Sequence, residues 1–421
     1  MTKSAARRII RLLASLLLCA MAASLPAPAA LASEGSRTVP VTIDTGIPGS
    51  PDAEIEILWD DGWFASDETA YNHDLAIAAM ALSSAAYRGG QHTGVQAALK
   101  ALGFSNIRSY NYTPSLSEAA SVTAYTFAVK EIAVSGGTAY LTAIVIRGTM
   151  EYMEWAGNLN MGSGVDHAGF AEARDDLLGR LDQYLSGLNL TGEKRQSMRC
   201  LVAGHSRGGA VANLTAARLT DAARGTRGAV YAYTFASPAV SFKAASAGYE
   251  NIFNIVSDED LVTQVPLFAW GCARYGTDLR LPTKARDGEA YAAAFAGMDR
   301  RYTALTGKPY TVYKDQELVA KLTSAIYKLV PTATGPSMAM LSALLTGNFT
   351  GLSDLIHENS LTAILLGRRM LKLSNELTPL IQQEAGGIAS AHCMASYYSW
   401  LVSAQTPEEI RALYAADAVA I

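Results

Sequence analysis

Gly204-His205-Ser206-Arg207-Gly208 constrains the fold of this chain more than any other stretch, because of what flanks it. Cys200 to Ala203 before it has the pattern of a short apolar strand, and Gly209 to Leu219 after it passes from small residues into a helical pattern. A serine on a sharp turn between a strand and a helix has its hydroxyl lifted into the open above a sheet. The flanking glycines leave room for a strained backbone and for close packing of the helix. Alone, the five residues are a weak signal, since the same pattern arises in tight turns around an inert serine. In this strand-turn-helix setting they read as a nucleophile elbow, which needs a base and a carboxylate elsewhere in the chain.

The first 32 residues read as an export signal. Lys3, Arg7, Arg8 and Arg11 form a charged region, Leu12 to Met21 an apolar one, and Ala30-Leu31-Ala32 a small-residue cleavage site. Pro26 and Pro28 interrupt the apolar run before it reaches the length of a membrane span. Leu18 stands before Cys19, where a lipid-modified bacterial cysteine needs a small residue. The expectation is a secreted or periplasmic protein with no transmembrane segment in its mature form. Removing the segment before Ser33 takes away four basic residues and no acidic ones, so the net charge moves from −4 to −8. An acidic chain argues against a nucleic-acid partner. Of the remaining cysteines, Cys200 reads as a small buried hydrophobe, while Cys272 and Cys393 either pair in an oxidising compartment or remain free. No cluster has metal-ligand spacing, and neither a metal nor an organic cofactor is expected.

Residues 33–68, with Pro40, Pro48 and Pro51, read as an irregular or partly extended lead-in. A core over 69–285 follows. Helical periodicity starts near His73 and recurs over Ala97–Leu102 and Phe170–Leu188, the last with a stripe of Leu177, Leu181, Tyr184, Leu185 and Leu188. Tyr125–Val134 and Tyr140–Ile146 read as a hairpin around Ser135-Gly136-Gly137, and Val230–Phe235 and Ile252–Val256 as further strands. Strands alternating with helices predict an α/β fold with a largely parallel sheet covered on both faces. Residues 286–380 read as a helical insertion, with helices over Leu318–Leu329, Ser337–Leu345 and Thr362–Leu377 and an extended piece at Tyr310–Tyr313. It serves either as a cap or as extra packing. Residues 381–421 complete the core.

In this kind of fold the chain order is serine, acid, histidine. Two histidines follow Ser206. His357 sits inside the apolar run Leu352–Leu361 and reads as structural. His392 follows the flexible Gly386-Gly387 and reads as a loop histidine before a helix carrying Tyr397, Trp400 and Leu401. For the acid, the strand ending at Val256 runs into Ser257-Asp258-Glu259-Asp260, at the sheet edge where α/β sites assemble. Three carboxylates compete there, and the ordinary role for each is a solvated charge or a helix cap. His73, His92, His167 and His205 precede the serine and read as structural or surface residues.

Taken together, these residues resemble the class 3 lipases, the fungal-type triacylglycerol lipase family, and its divergent secreted bacterial members. Ile146-Arg147-Gly148-Thr149, Glu154 to Asn160, His167-Ala168-Gly169-Phe170, Thr234-Phe235-Ala236-Ser237-Pro238 and Asp260-Leu261-Val262 with Pro266 are similar to family segments in the family's order, over roughly residues 70–280 and again at His392. The resemblance implies an α/β-hydrolase fold with a helical insertion before the C-terminal histidine. It implies Ser206 as nucleophile, Asp260 as acid and His392 as base. It implies an oxyanion hole from Thr149 and the backbone N–H of Arg207, where losing one donor typically costs about 3 kcal/mol. The segment Met150–Met161, with Tyr152, Trp155 and Leu159 at helical spacing, would be a lid that opens at a lipid interface or a stripe packed on the core. The chain departs from the family at Arg207, where an apolar residue is usual, and at Ala236, where the family has glycine. Arg207 is expected to make the floor of the site more polar. The implied activity is hydrolysis of carboxylic esters, with a lipid or other ester as substrate. A phospholipase or acyltransferase on the same triad and a non-catalytic lipid-binding protein of the same fold are the alternatives.

Overall fold

The computed structural model describes residues 35–114, 121–135, 137–149, 161, 164–189, 192–329, 379–404 and 411–414. The architecture below is that of the described residues of the unit Thr38–Ile421, with its first strand entered at Arg37.

Its centre is an eight-stranded sheet. Strands β3 (Ser105–Tyr110), β4 (Tyr125–Val134) and β5 (Gly137–Ile146) form one side; β6 (Arg199–His205), β7 (Ala229–Phe235), β8 (Ile252–Val256), β9 (Thr277–Arg280) and β10 (Arg411–Tyr414) complete it. The order is β10-β9-β8-β7-β6-β5-β4-β3. β5 to β9 run parallel, while β3, β4 and β10 are antiparallel to their neighbours. The sheet is therefore largely parallel, as the alternation of elements predicts. Every residue of β7 and β8 is buried, the continuous apolar pattern of strands covered on both faces. The β4–β5 hairpin pairs Val134 with Gly137, so β5 starts three residues before the expected Tyr140. Gly137 takes a φ of +146°, which the tight turn requires and a side chain would resist.

One face of the sheet is covered by α1 (His73–Ala85) and α2 (Thr93–Ala101). α1 is capped by Asn72, whose side chain accepts the Leu75 N–H, and its Ala-rich sequence lets it be buried from Leu75 to Ala85 except at Ile77. The other face is covered by α3 (Ala168–Gly187) and α4 (Arg207–Ala223), which pack Leu177, Leu181 and Leu214 against Tyr125, Phe127 and Val230.

Of the two readings of the lead-in, irregular or partly extended, the described residues 35–68 follow the second. β1 (Arg37–Ile43) and β2 (Ala53–Trp59) form a two-stranded sheet whose Val39, Val41, Ile43, Ile55, Ile57 and Trp59 all point into the core. Pro40 lies on the exposed side of the alternation, where its missing N–H costs little. After β9 come α5 (Glu289–Thr306) and α6 (Leu318–Leu329); α6 has the expected bounds. Tyr310–Tyr313, expected as an extended piece, belongs to no strand. The helices expected over Ser337–Leu345 and Thr362–Leu377, and His357, lie outside the described residues. α7 (Ala385–His392) and α8 (Met394–Ser403) follow, and α8 lies against α1 and α5. Cys200, Cys272 and Cys393 are buried and free rather than paired. Burial pushes the Cys200 and Cys272 thiols up to about 12 and Cys393 up to about 11, so none is a reactive thiolate at neutral pH.

Behind the C-terminal strand ends lies a buried polar network. The Asn254 carbonyl accepts from Asn213 (2.9 Å) and Thr234 (2.7 Å), and its amide donates to the Tyr275 carbonyl (2.9 Å) and Asp278 (3.1 Å). Arg274, 2% exposed, donates to both oxygens of Asp278 and to the backbone carbonyls of Ser237 (2.8 Å) and Thr263 (3.0 Å). One guanidinium thus ties the loops after β7 and β8 to β9. Replacing it leaves the buried Asp278 carboxylate with the Asn254 amide but no opposite charge, and takes the guanidinium from two carbonyls. Arg274→Met is expected to cost about 3–5 kcal/mol, the range for breaking a buried ion pair, measured by chemical denaturation.

Candidate active site

Ser206 joins β6 to α4 with φ +58° and ψ −130°, an unfavourable conformation for a residue with a side chain. Its N–H is held by the Phe235 carbonyl at 2.9 Å, and such strain costs on the order of 1–3 kcal/mol that the surrounding packing must offset. The neighbouring glycines are steric necessities. A Cβ at Gly204 would stand 2.3 Å from the Gly208 carbonyl oxygen, and one at Gly208 would stand 2.4 Å from the Ile146 oxygen.

His392 reaches this serine from the far end of the chain. Its Nε2 lies 2.9 Å from Ser206 Oγ and its Nδ1 2.8 Å from Asp260 Oδ2. Asp260 begins the loop after β8 and caps the short 3-10 turn Leu261–Gln264, its Oδ1 accepting the Val262 N–H at 3.0 Å. Its side chain is 1% exposed against 26% for His392, so the acid is sealed behind an accessible imidazole. The other two acids of the cluster face elsewhere. Asp258 binds Arg280 and Arg286, each at 2.5 Å. Glu259 is partly buried, and desolvation, with Asp258 adding to it, pushes its carboxyl up to about 7 against the Lys284 N–H and Arg286, which favour the charged form.

His392 is presented differently from the loop the glycines suggest. Gly386 and Gly387 are helical, His392 is the last residue of α7, and the extended Cys393 (ψ 157°) breaks α7 from α8. The glycines serve close packing: a Cβ at Gly387 would fall 2.6 Å from the Tyr313 ring.

Two supports of the histidine and the acid were not singled out as site residues in the sequence. Tyr397 donates its hydroxyl to Asp260 Oδ2 at 2.8 Å. Burial, reinforced by that carboxylate, raises the phenol far above its usual range, which keeps it a donor. His205 Nε2 lies 2.9 Å from the His392 carbonyl and its Nδ1 3.2 Å from the Tyr87 hydroxyl. Burial, with His392 nearby, holds His205 well below its usual range, hence neutral. The carbonyl can only accept, so the proton belongs on Nε2. The sequence signals were indirect: His205 adjoins the serine, and Tyr397 is five residues beyond His392, a separation that the break at Cys393 turns back toward the acid.

Thr149 follows the end of β5 and is half-buried. A Cβ on its neighbour Gly148 would lie 2.5 Å from the His205 oxygen and 3.1 Å from Ser206 Cβ, so this loop runs directly against the elbow. The Arg207 backbone opens α4, whose N-terminal end carries partial positive charge beside Ser206. The Arg207 side chain does not polarise the floor of the site as its sequence position suggests. It is 1% exposed, directed at the carbonyls of Gly169 (3.3 Å) and Val122 (3.4 Å) with its guanidinium over Phe170. Ala236 takes φ +52°, which accounts for glycine being the family's choice there. Tyr152, Trp155 and Leu159 lie outside the described residues. Among the described residues no group of three or more His, Cys, Asp or Glu is disposed to hold a metal, and no helix is long and apolar enough to cross a membrane.

Ser206, His392 and the buried Asp260 are hydrogen-bonded in line at the C-terminal edge of a largely parallel sheet, with the serine on a strand-to-helix elbow, the arrangement that an α/β-hydrolase site requires. Residues 143–270, from within β5 to Trp270, match the family model for lipase (class 3), which bears out the resemblance drawn from the motifs over the segment that carries Ser206 and Asp260. No curated protein matches the chain in sequence. Solved structures similar to it include the triacylglyceride lipase of Rhizomucor miehei (21% identity, 51% of this chain and 83% of that one, TM-score 0.37) and lipase II from Rhizopus niveus (20%, 50% and 78%, TM-score 0.33). A mono- and diacylglycerol lipase from Aspergillus oryzae is similar at 19% identity over 37% of this chain and 64% of that one, with a TM-score of 0.27.

The Glu259 carboxyl carries a pH dependence. The folded protein retains that proton between about 4.5 and 7 while the unfolded chain has released it, so stability from this group is complete below that window and is lost as pH rises through it. Glu259→Gln is expected to be more stable than the parent at pH 8 by about 1–3 kcal/mol and to show no such gain at pH 4, in thermal unfolding at the two pH values.

Proposed function

We propose that this chain is an exported serine hydrolase that cleaves carboxylic esters of acyl lipids through an acyl-serine intermediate. The observation that carries the reading is the continuous chain Ser206 Oγ, His392 Nε2, His392 Nδ1, Asp260 Oδ2, with both links under 3 Å. The class 3 lipase match over 143–270 supports the ester and lipid part of it, and the basic, apolar and small-residue pattern of residues 1–32 supports export.

In this mechanism His392 takes the Ser206 proton as Oγ adds to the ester carbonyl carbon. Asp260, buried and held by the Val262 N–H and the Tyr397 hydroxyl, keeps the imidazole in the tautomer that accepts at Nε2 and stabilises the imidazolium that forms. The carbonyl oxygen becomes an oxyanion received by Thr149 and the Arg207 N–H. Collapse breaks the bond to the alcohol oxygen, which leaves with the proton from His392. Water then repeats the sequence on the acyl-serine, giving a carboxylate and the free enzyme. Each step uses one base that alternates as acid, so no further titrating group is needed.

Hydrolysis of a nitrophenyl ester series from short to long acyl chains tests this reading. Mature wild-type protein is expected to turn over and to prefer long chains. Ser206→Ala is expected to lose about 10⁴-fold or more in kcat. Turnover that survives in Ser206→Ala, or a wild type inert on every chain length even with detergent present, contradicts it.

A further inference from the structure

The insertion after β9 reaches the two segments that carry Asp260 and His392 through one short strap, residues 310–315. Tyr313 is its centre. Its hydroxyl donates to the Glu259 carbonyl at 2.8 Å. That carbonyl belongs to the peptide joining Glu259 to Asp260, whose N–H is in turn bonded to the Ser257 carbonyl at 3.1 Å. Both polar groups of the peptide that leads into the acid are therefore tied, one of them by the insertion. The ring of the same tyrosine rests on Gly387, where a Cβ would meet Cδ1 at 2.6 Å and Cε1 at 2.9 Å. Gly387 lies on α7, whose last residue is His392.

The strap is itself fastened to α7. The Glu384 carboxylate, 3% exposed, accepts the N–H groups of Lys314 (3.1 Å) and Asp315 (3.2 Å). Ser390 Oγ accepts the Thr311 N–H at 3.3 Å, and Thr311 lies against Gly386. A small apolar cluster joins Tyr313, Leu318 and Leu322 of the strap and α6 to Ala391 and Ile388 of α7 and to Leu261 beside the acid. Tyr313, 7% exposed, sits between the loop carrying Asp260 and the helix carrying His392, which also meet directly through the His392–Asp260 bond. Beside the Tyr397–Asp260 and His205–His392 bonds, the strap holds both the peptide that leads into Asp260 and the helix that ends in His392, so a shift of the strap is felt at the Asp260–His392 bond.

We propose that Tyr313 is a positioning residue for the Asp260–His392 pair, and that the insertion serves the reaction by holding acid loop and histidine helix together through it; this rests on the triad reading above. The assignment departs from both sequence expectations for the insertion, cap and added packing, because it makes one hydroxyl and one ring face of that segment part of the support of the site.

Tyr313→Phe keeps the ring and removes the hydroxyl. Its kcat on a short-chain nitrophenyl ester is expected to fall about tenfold to a hundredfold, the scale of loss when a reacting pair is slightly misplaced, with KM unchanged and the thermal midpoint close to the parent's. Gly387→Ala, which pushes the ring and helix apart, is expected to lower kcat in the same direction. The second readout needs no turnover. The downfield proton resonance of His392 Nδ1–H, assigned by its loss in His392→Ala, is expected to move upfield and broaden in Tyr313→Phe. A Tyr313→Phe protein with the parent's kcat and an unmoved resonance overturns the proposal. A wild type that is inert, or a Ser206→Ala protein as active as the parent, overturns the triad reading instead, and the resonance still decides whether Tyr313 positions the pair.

Discussion

Three backbones crowd together at Ser206, and the site depends on that contact. The end of β5, the turn after β6 and the first residues of α4 approach so closely that neither Gly148 nor Gly204 nor Gly208 has room for a side chain. The strained φ of Ser206 follows from it, because a relaxed turn would carry α4 away from β5. The Phe235 carbonyl, gripping the Ser206 N–H, adds β7 to the same knot. With the turn held this way the serine side chain, the loop at Thr149 and the positive end of α4 share one small volume. Side chains from distant parts of the sequence then have a fixed target to meet.

The second dependency is electrostatic. Asp260 is a carboxylate almost wholly withdrawn from water, and an ionised group so placed needs its hydrogen bonds. It receives them from the Val262 N–H, the Tyr397 hydroxyl and His392. Behind it, Arg274 and Asn254 saturate the carbonyls and carboxylate of the neighbouring loops. The polar interior at this end of the sheet is thus a single connected support, and its cost in desolvation is offset only while every member is paired. His205, buried and neutral, extends the support to the backbone of His392 without adding a charge.

What was legible in the sequence follows the range of the interactions that decide it. The elbow, the β4–β5 hairpin, α1 and α6 carry local signals, and the structure has them where periodicity and turn residues put them, apart from the early start of β5 at Gly137. The chain order pointed to Ser206 and His392 and left three acids open, among which the family resemblance implied Asp260; His392 lies within hydrogen-bond distance of both Ser206 and Asp260. β1 and β2 were obscured by prolines, although Pro40 occupies an outward position that spares the alternation. β9 and β10 are four residues each and are strands because of their partners rather than their composition. Gly386-Gly387 looks flexible by itself and is helical because Thr311 and Tyr313 pack on it. Arg207 looks like a site residue beside the nucleophile, yet its guanidinium is drawn away to the carbonyls of Val122 and Gly169. The choice among Asp258, Glu259 and Asp260 likewise rests on two arginines and a tyrosine from outside the motif.

The central claim is that Ser206 is an activated nucleophile, and covalent capture tests it most directly. Intact mature protein exposed to a fluorophosphonate and digested for mass spectrometry is predicted to carry a single phosphonyl adduct, on Ser206, formed far more slowly in His392→Ala. An adduct on another residue, labelling undiminished in Ser206→Ala, or no labelling of the folded wild type would contradict the account.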